Sequence, residues 1–454
     1  MKEDERFKVV IAGGGVAAVE AALALYEAAH RRIDLELIAP NDELILPALA
    51  VAEPFGKAPP AALALADVCR DVGASHRRDV LRGVDAEART VRTGSGDDVP
   101  FDALLLAIGA STEPALAGAL TYRGMRDNAE IRELLEKAEH GEFDRIVFAV
   151  PTSIQWPLPI YELALLTASE LQKQGTDTEL TLATHESSPL SLFGRRASEA
   201  VRDLLDKTGV ELVTGAHAAG VQAGGLVLHD GRVLPASRVI ASPRLTVAPI
   251  EGIPQGTDGF IGTDSAMRVE GTPRVYAAGD STWFPIKQGG VAAQQADTAA
   301  TAIASLVDAD IDVEGFKPIL RGVLFTGGPP RYLRTEVGRR AAASTDSVTP
   351  LWWPPAKVAG KHLAPYLAKR GLGMSLQDLE PLHGEDREAD EEDQREALDL
   401  ALAAADADAR AGDYRAAVRW LDVAQELNLA LPGEYADKRR AWEASAGGTE
   451  VEPP

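Results

Sequence analysis

A glycine-rich turn close to the N-terminus has the residue types that can hold a phosphate group. Residues 8–12, KVVIA, predict a short buried strand, and the run VEAALALYEAAH that follows the turn has helical spacing. Gly13 permits a tight turn, Gly15 lets the backbone approach a pyrophosphate, and Ala18 keeps the helix close to the sheet, while the helix N-terminus offers free N–H groups. The spacing therefore predicts a dinucleotide-binding turn. Its expected cofactor contacts are Gly13, Gly15, Val16, Ala17 and Ala18.

The loop after the second predicted strand departs from the usual dinucleotide pattern. That strand, residues 33–39, should end in an acidic residue that binds the ribose hydroxyls, but an Ala-Pro pair stands there. Asn41, Asp42 or Glu43 can replace the acid from the loop, and the sequence does not choose between them. The cofactor contacts expected from this part of the chain are Pro40, Asn41 and Pro47.

Two later segments point to FAD as the dinucleotide. Residues 101–111 predict a buried strand that runs into Ala107-Ile108-Gly109, and residues 272–282 predict another that runs into Gly279-Asp280. In order with the N-terminal turn, they resemble the three-part FAD signature of the pyridine nucleotide-disulfide oxidoreductase superfamily, with isoleucine where threonine is usual. The resemblance covers roughly residues 7–385, and it implies that Asp280 holds the ribityl chain and phosphate of FAD. Expected contacts here are Ala107, Gly109, Gly279 and Asp280.

The resemblance implies an α/β fold with two Rossmann-like dinucleotide-binding domains, as in glutathione-reductase-like flavoproteins, followed by a C-terminal region and a helical-hairpin tail. The implied domains are a discontinuous FAD-binding domain (1–125 and 242–310), a second NAD(P)-like domain with a degenerate fingerprint (126–241), a region that forms a flavin roof or an interface (311–383), and an acidic linker with a hairpin similar to one tetratricopeptide unit (384–454).

The second domain lacks the glycines of a nicotinamide site. Residues 145–150 predict a strand and residues 161–175 a helix, but the turn between them contains three prolines and Trp156 and no glycine. Prolines remove backbone donors and block close approach of a pyrophosphate. The sequence therefore argues against ordinary NAD(P)H binding.

A proline-rich turn that ends in Tyr161-Glu162 resembles the sulfide:quinone oxidoreductases, in which this domain is a scaffold without a nicotinamide site. Residues 284–300 are similar to the Lys-Gln-Gly turn and helix of those enzymes and of type II NADH dehydrogenases. A helix that starts near Gly290 would point its positive end at the flavin, and Lys287 would add a charge there. The alternative is an Ala-rich core helix with a surface lysine. The expected cofactor contacts are Lys287, Gln288 and Gly289.

Two residue types decide which redox chemistry is available. Cys69 is the only cysteine, so a disulfide relay or a cysteine-based metal cluster is excluded, and Cys69 itself is expected to be a small buried residue. We predict no metal site.

Glu162, expected in the first turn of its helix, either moves the proton that accompanies electron transfer or complements the helix dipole. Glu162 and Lys287 are the candidate catalytic residues, whereas His185 and His362 are expected to be structural or solvent-facing.

The C-terminal part contains apolar residues that must be covered. Trp352 and Trp353 can act as an interfacial anchor, pack as core, or cover the isoalloxazine. The hairpin, expected to close near Leu431, must dock an apolar face formed by Ala417, Trp420, Leu421 and Leu427.

Composition restricts location and partners. Asp plus Glu outnumber Lys plus Arg by 69 to 46, a formal net charge of −23, which argues against nucleic acid as a partner. No stretch approaches the ~18 apolar residues needed to span a bilayer, and no signal peptide precedes the first strand. We therefore expect a cytoplasmic protein. The resemblance also implies a homodimer, whereas peripheral membrane contact and a protein partner at the hairpin stay open.

Three functions fit these observations. The first is an FAD-dependent oxidoreductase that passes electrons from a small-molecule donor through the flavin to a quinone or a similar small acceptor, without a cysteine relay. The second is an NAD(P)H-dependent FAD reductase. The third is a flavin-binding regulatory or structural subunit that recruits a partner through its hairpin.

Overall fold

The computed structural model describes residues 6–57, 62–152, 154, 156–337, 344–372 and 431–446, together with single positions between 398 and 421. The predicted acidic linker falls outside these residues, as do Trp420 and Leu427 of the predicted hairpin.

The first sheet is parallel and is built from two separated parts of the chain. Its strands are β1 (Phe7–Ala12), β2 (Ile33–Ile38), β5 (Ser75–Arg77), β9 (Ala103–Leu106) and β20 (Val275–Ala277), in the order β20–β9–β1–β2–β5. Helices α1 (Val16–Ala29), α2 (Leu65–Val72) and α6 (Gly289–Ala304) share its core. Because its central strands are buried on both faces, they are continuous apolar runs such as the ALLL of β9.

The second sheet is also parallel. Its strands are β11 (Leu120–Thr121), β12 (Arg145–Val150), β13 (Glu179–Thr184), β14 (Val210–Val213) and β18 (Arg238–Ala241), in the order β11–β18–β12–β13–β14. Helices α3 (Asn128–Glu139), α4 (Leu158–Gln174) and α5 (Arg195–Lys207) supply most of its apolar cover. The α/β class with two Rossmann-like sheets is thus confirmed.

Small antiparallel sheets connect and extend the two parallel ones. They consist of β3 (Glu43–Leu44) with β4 (Leu63–Ala64); β6 (Leu81–Asp85), β7 (Thr90–Thr93) and β8 (Asp98–Pro100); β10 (Ser111–Pro114) with β19 (Pro243–Thr246); β15 (Ala218–Gln222), β16 (Gly225–Leu228) and β17 (Val233–Pro235); and β21 (Ile319–Leu324), β22 (Arg331–Glu336) and β23 (Thr345–Ser347). The β10–β19 pair joins the chain segments that leave and re-enter the first sheet. Short 3-10 helices span Pro47–Phe55, Met125–Asp127 and Ser191–Phe193, and two further α-helices are α7 (Leu363–Ala368) and α8 (Gly433–Ala446).

The C-terminal part packs against the body of the protein. Ala417 and Leu421 of the predicted hairpin are buried in a cluster against which Trp353 and Ala368 pack. Helix α8 adds Tyr435 and Trp442 to the same cluster. The expectation that the hairpin closes near Leu431 stays a prediction, because residues 422–430 lie outside the described residues, and a further helix begins after the proline, at Gly433.

Candidate active site

One large cavity lies at the carboxyl ends of the strands of the first sheet. Its volume is about 1530 Å³, and its wall includes Gly13 after β1, Asn41 after β2, Gly109 after β9 and Asp280 after β20. The cavity extends to the first turns of α4 in the second sheet. Ordinary small-molecule sites occupy roughly 300–1,000 Å³, so this cavity has room for a dinucleotide together with a second molecule.

Almost all residues that the sequence analysis selected meet at this cavity. The wall includes Gly13, Gly15, Val16, Ala17, Pro40, Asn41, Pro47, Ala107, Gly109, Glu162, Gly279, Asp280, Lys287, Gln288 and Gly289. Ala18 is fully buried in the core beside the sheet. That position suits its predicted role, which was to keep α1 close to the sheet.

The glycine turn has the geometry of a phosphate cradle. Gly13 has φ +133°, and a Cβ there would lie 2.1 Å from the carbonyl oxygen of Ala107, so only glycine fits. A Cβ on Gly15 would meet nothing within 4 Å because it would project into open space. No side chain caps α1, and no acidic residue stands in its first turn. The first N–H groups of the helix, which lie at the cavity, are therefore available to bind an anion.

The loop after β2 contains three residues that can contact a ribose. Asn41, Asp42 and Glu43 all line the cavity. The carboxylate of Asp42 forms an ion pair of 3.1 Å with Arg78. Among the described residues, no partner bonds the side chains of Asn41 or Glu43, which leaves these two as the better candidates for the ribose hydroxyls.

The Gly279-Asp280 turn presents a carboxyl group to the cavity. Gly279 has φ +83°, and its N–H donates to Oε1 of Gln295 on α6 at 2.8 Å. Burial raises the pKa of Asp280, and the charge of Lys287 partly opposes this. Within the described chain no hydrogen bond is formed by this carboxyl, so it can accept one from a ligand hydroxyl.

Helix α6 begins at Gly289, one residue from the predicted start. The side chain of Gln288 caps it by accepting a hydrogen bond from the N–H of Val291 at 2.9 Å. Lys287 lines the cavity, but its ammonium group donates to the carbonyl of Thr282 and lies 4.0 Å from the ring centroid of Phe260. Burial lowers the pKa of Lys287 to about 8. The surface-lysine alternative is therefore wrong, while any flavin contact by Lys287 stays a prediction.

A buried ion pair stands where the cavity meets α4. Oε1 of Glu162 accepts hydrogen bonds from the ammonium of Lys357 and, at 2.9 Å, from the N–H of Phe325. The side chains of Glu162 and Lys357 are 1% and 4% exposed, and both residues line the cavity. Because α4 begins at Leu158, Glu162 is in its second turn rather than its first, so the helix-dipole interpretation of this residue is wrong.

The electrostatics of this pair favour proton exchange. Burial raises the pKa of the Glu162 carboxyl, and the charge of Lys357 opposes that rise. Burial lowers the pKa of the Lys357 ammonium, with Glu162 opposing. The two pKa values therefore move toward each other, which lowers the cost of passing a proton between the groups. Sequence reasoning missed Lys357, although a lysine within the apolar stretch PPAKVAG was a usable signal.

The crevice of the second sheet differs from a nucleotide site. The described part of the turn after β12 contains no glycine, and prolines stand at the N-cap of α4 and inside its first turn (Pro157, Pro159). After β13, the carboxylate of Glu186 is turned inward: Oε2 accepts from Tyr161 Oη at 2.7 Å and Oε1 from Ser191 N–H at 3.0 Å. The acid that would bind a ribose is thus already occupied.

Other predicted residues lie away from the cavity wall. Cys69 is buried in α2, where burial raises the pKa of its thiol. Trp352 is buried, donates to the carbonyl of Ala356 at 3.1 Å and packs edge-on against Tyr332, so it belongs to the core and is not an interfacial anchor. In the described part of the chain, no helix is both long and apolar enough to cross a membrane.

Comparison with known proteins agrees with this geometry. Residues 162–303 match the family model described as pyridine nucleotide-disulphide oxidoreductase. An NADH dehydrogenase-like protein of Mycobacterium tuberculosis is 27% identical over 296 residues, which is 60% of this chain and 72% of the relative. A mitochondrial external alternative NAD(P)H-ubiquinone oxidoreductase of Arabidopsis thaliana is 23% identical over 47% of this chain and 41% of its own length.

Solved structures share the fold. The sulfide:quinone oxidoreductase of Aquifex aeolicus superimposes with a TM-score of 0.65 over 76% of this chain and 87% of that chain, at 16% identity. The reductase of a putidaredoxin reductase–putidaredoxin complex gives a TM-score of 0.55 over 73% of this chain and 82% of that chain, at 21% identity. The predicted resemblance to this superfamily is confirmed, and the comparisons support an FAD-dependent oxidoreductase.

Proposed function

We propose that this protein passes electrons through a bound FAD to a quinone or a similar small planar acceptor, without a cysteine relay. The observation that carries the proposal is that one cavity has two different kinds of wall. A glycine cradle lies on one part of its wall, and the buried Glu162–Lys357 pair lies on another.

The cofactor side of the cavity fits FAD. The turn at Gly13–Gly15 and the uncapped N-terminus of α1 would bind the pyrophosphate, and Asp280 would accept from the ribityl chain. Asn41 and Glu43 would face the ribose. When bound, the flavin supplies two-electron chemistry. The protein itself needs only to orient the flavin and the acceptor, to exclude water and to move protons.

The acceptor side is apolar around one proton donor. Leu158 lies one helical turn before Glu162, and Val323 lies two residues before Phe325, whose N–H binds the Glu162 carboxylate; Leu158 and Val323 both line the cavity. Conversion of a quinone to a quinol takes two electrons and two protons. The flavin would supply both electrons and one of the protons, and Glu162 would give the other proton to a quinone oxygen and recover it from Lys357, since the pKa values of the two groups move toward each other.

Anaerobic stopped-flow spectroscopy of the FAD-loaded protein tests the proposal. The flavin is first reduced with one equivalent of dithionite and is then mixed with a short-chain quinone or with ferricyanide, a charged acceptor that needs no proton. We expect fast reoxidation by the quinone. Reoxidation by ferricyanide alone would contradict the proposed acceptor class.

Replacing Cys69 by serine is expected to leave this reoxidation unchanged within about twofold, because the thiol is buried in α2 and does not line the cavity. Flavin content and circular dichroism of the variant control for folding. A large loss of rate in a folded, fully loaded variant would mean that the lone thiol takes part in electron transfer.

An NAD(P)H-dependent reductase is the second candidate, favoured by the names of the relatives from Mycobacterium tuberculosis and Arabidopsis thaliana. The prolines at the start of α4 and the inward-turned Glu186 count against it. The regulatory-subunit reading loses support because Ala417 and Leu421 already pack within this chain. The cytoplasmic location, the homodimer, the membrane contact and a protein partner stay predictions.

A further inference from the structure

Another buried carboxylate, Glu20, lies on α1 outside the cavity. It is fully buried, and its two oxygens accept hydrogen bonds from the N–H groups of His362 at 2.9 Å and Leu363 at 2.7 Å. A Cβ on Gly360 would lie 2.4 Å from Oε2 of Glu20, so the glycine permits this close approach. Glu20 therefore holds the backbone at the start of α7 directly against α1.

The segment held by Glu20 also carries Lys357. Val358, the residue after Lys357, packs closely on Gly289. A Cβ on Gly289 would lie 2.9 Å from a methyl group of Val358. The ring of His362 then contacts Asp297 on α6 and Glu27 on α1, each at 3.1 Å. Residues 357–363 are thus fixed to the two helices whose N-terminal ends line the cavity.

We infer that Glu20 is a positioning residue that sets the place of the Lys357 ammonium against the Glu162 carboxylate. The inference rests on the proposed function, in which this pair moves the proton to the acceptor. A buried carboxylate is a costly anchor, since apolar side chains could join α1 to α7 without desolvating a charge. Its two hydrogen bonds, however, fix the orientation of the backbone at His362 and Leu363 and its position along α1, which apolar contacts do not.

The charged groups around both carboxylates determine how the inference can be read out. His362 and Asp297 are the titratable groups that face Glu20, and burial raises the pKa of Glu20. Lys357 faces Glu162, and the charge of Glu162 contributes to raising the pKa of the Tyr122 phenol. If the segment shifts, the distance from Lys357 to Glu162 grows, and the pKa of Glu162 rises because the opposing charge weakens.

The test measures the protonation of Glu162 without turnover. The carboxyl stretching band of Glu162 in the FAD-loaded protein is followed by infrared spectroscopy against pH and is assigned by its loss in Glu162→Gln. We expect Glu20→Gln to raise the midpoint by about one pH unit. In the matched control Glu27→Gln, the lost carboxylate is exposed, contacts the segment only through the His362 ring and leaves both backbone hydrogen bonds to Glu20 in place, so we expect the midpoint to stay unchanged.

Two further variants keep the inference falsifiable. Gly360→Ala pushes the segment away from Glu20 without removing a charge, so it should raise the midpoint as well, even if Glu20→Gln fails to fold. In a Lys357→Met background, Glu20→Gln should add no further shift. A lowered melting temperature with an unchanged midpoint, or an equal shift in the Lys357→Met background, would overturn the positioning role. A midpoint shift in a protein that does not reduce quinone would contradict the proposed function but not the positioning role of Glu20.

Discussion

Replacing Gly15 by valine is expected to abolish FAD binding while the fold stays intact. A Cβ at this position meets no protein atom within 4 Å, and the backbone is extended at φ −87°, which valine adopts readily. The isopropyl group would occupy the place of the pyrophosphate and separate it from the N–H groups of α1. Loss of two charge-assisted hydrogen bonds, each about 1.5–3 kcal/mol, predicts at least about 100-fold weaker binding, measured by flavin fluorescence titration.

Gly13→Ala is the matched contrast to this variant. Its Cβ would lie 2.1 Å from a backbone oxygen at a φ of +133°, so this variant should lose about 3 kcal/mol of unfolding free energy. Full flavin occupancy in folded Gly15→Val protein would refute the cradle assignment. Equal destabilisation of the two variants in urea would show that both glycines serve the fold alone.

The second large effect is expected at the buried ion pair. Glu162→Gln removes the carboxylate that the described residues place beside Leu158 and Val323 on the acceptor side of the cavity, and it should slow reoxidation of reduced flavin by quinone by about 100-fold, the usual contribution of a general acid. Reoxidation by ferricyanide, which takes up no proton, should change little. If both acceptors slow equally, Glu162 has a structural role and proton delivery occurs elsewhere.

Lys357→Met separates the charge of the pair from its packing. Without the ammonium group, which opposes the effect of burial, the pKa of Glu162 should rise further, and the pH midpoint of quinone reduction should rise with it. A carboxyl whose pKa is higher in the folded than in the unfolded state stabilises the fold at low pH, and this contribution is lost as pH rises through the folded-state pKa. The unfolding free energy of this variant should therefore fall toward alkaline pH. Urea unfolding across pH measures this, and the double variant Glu162→Gln/Lys357→Met should recover most of the loss.

Local features of this fold could be predicted because each depends on a short pattern. The strand expected at residues 145–150 is Arg145–Val150, and the helix expected near Gly290 begins at Gly289. A continuous apolar run, or a glycine turn followed by Ala-rich sequence, contains its own structural signal. The start of α4 was placed too late, although Pro159 in the first turn is a typical helix-start residue.

Long-range pairing could not be predicted in the same way. Glu162 and Lys357 are separated by 195 positions, and Glu20 and His362 by 342. Nothing in either local sequence specifies the partner, because only the packing of the 351–363 segment over α1, α4 and α6 brings the groups together. For the same reason the sequence could select Glu162 as a candidate but not show that its charge is already compensated.

Anaerobic stopped-flow mixing of the FAD-loaded Cys69→Ser protein tests the proposed function most directly. The oxidised flavin is mixed separately with NADH, NADPH and sulfide, and in a separate mixing the flavin that dithionite has reduced is mixed with a short-chain quinone while its visible absorbance is followed. We predict no fast bleaching by either nicotinamide and full reoxidation by the quinone in the absence of any cysteine. Fast bleaching by NADH or NADPH, or a reduced flavin that the quinone cannot reoxidise, would contradict the account.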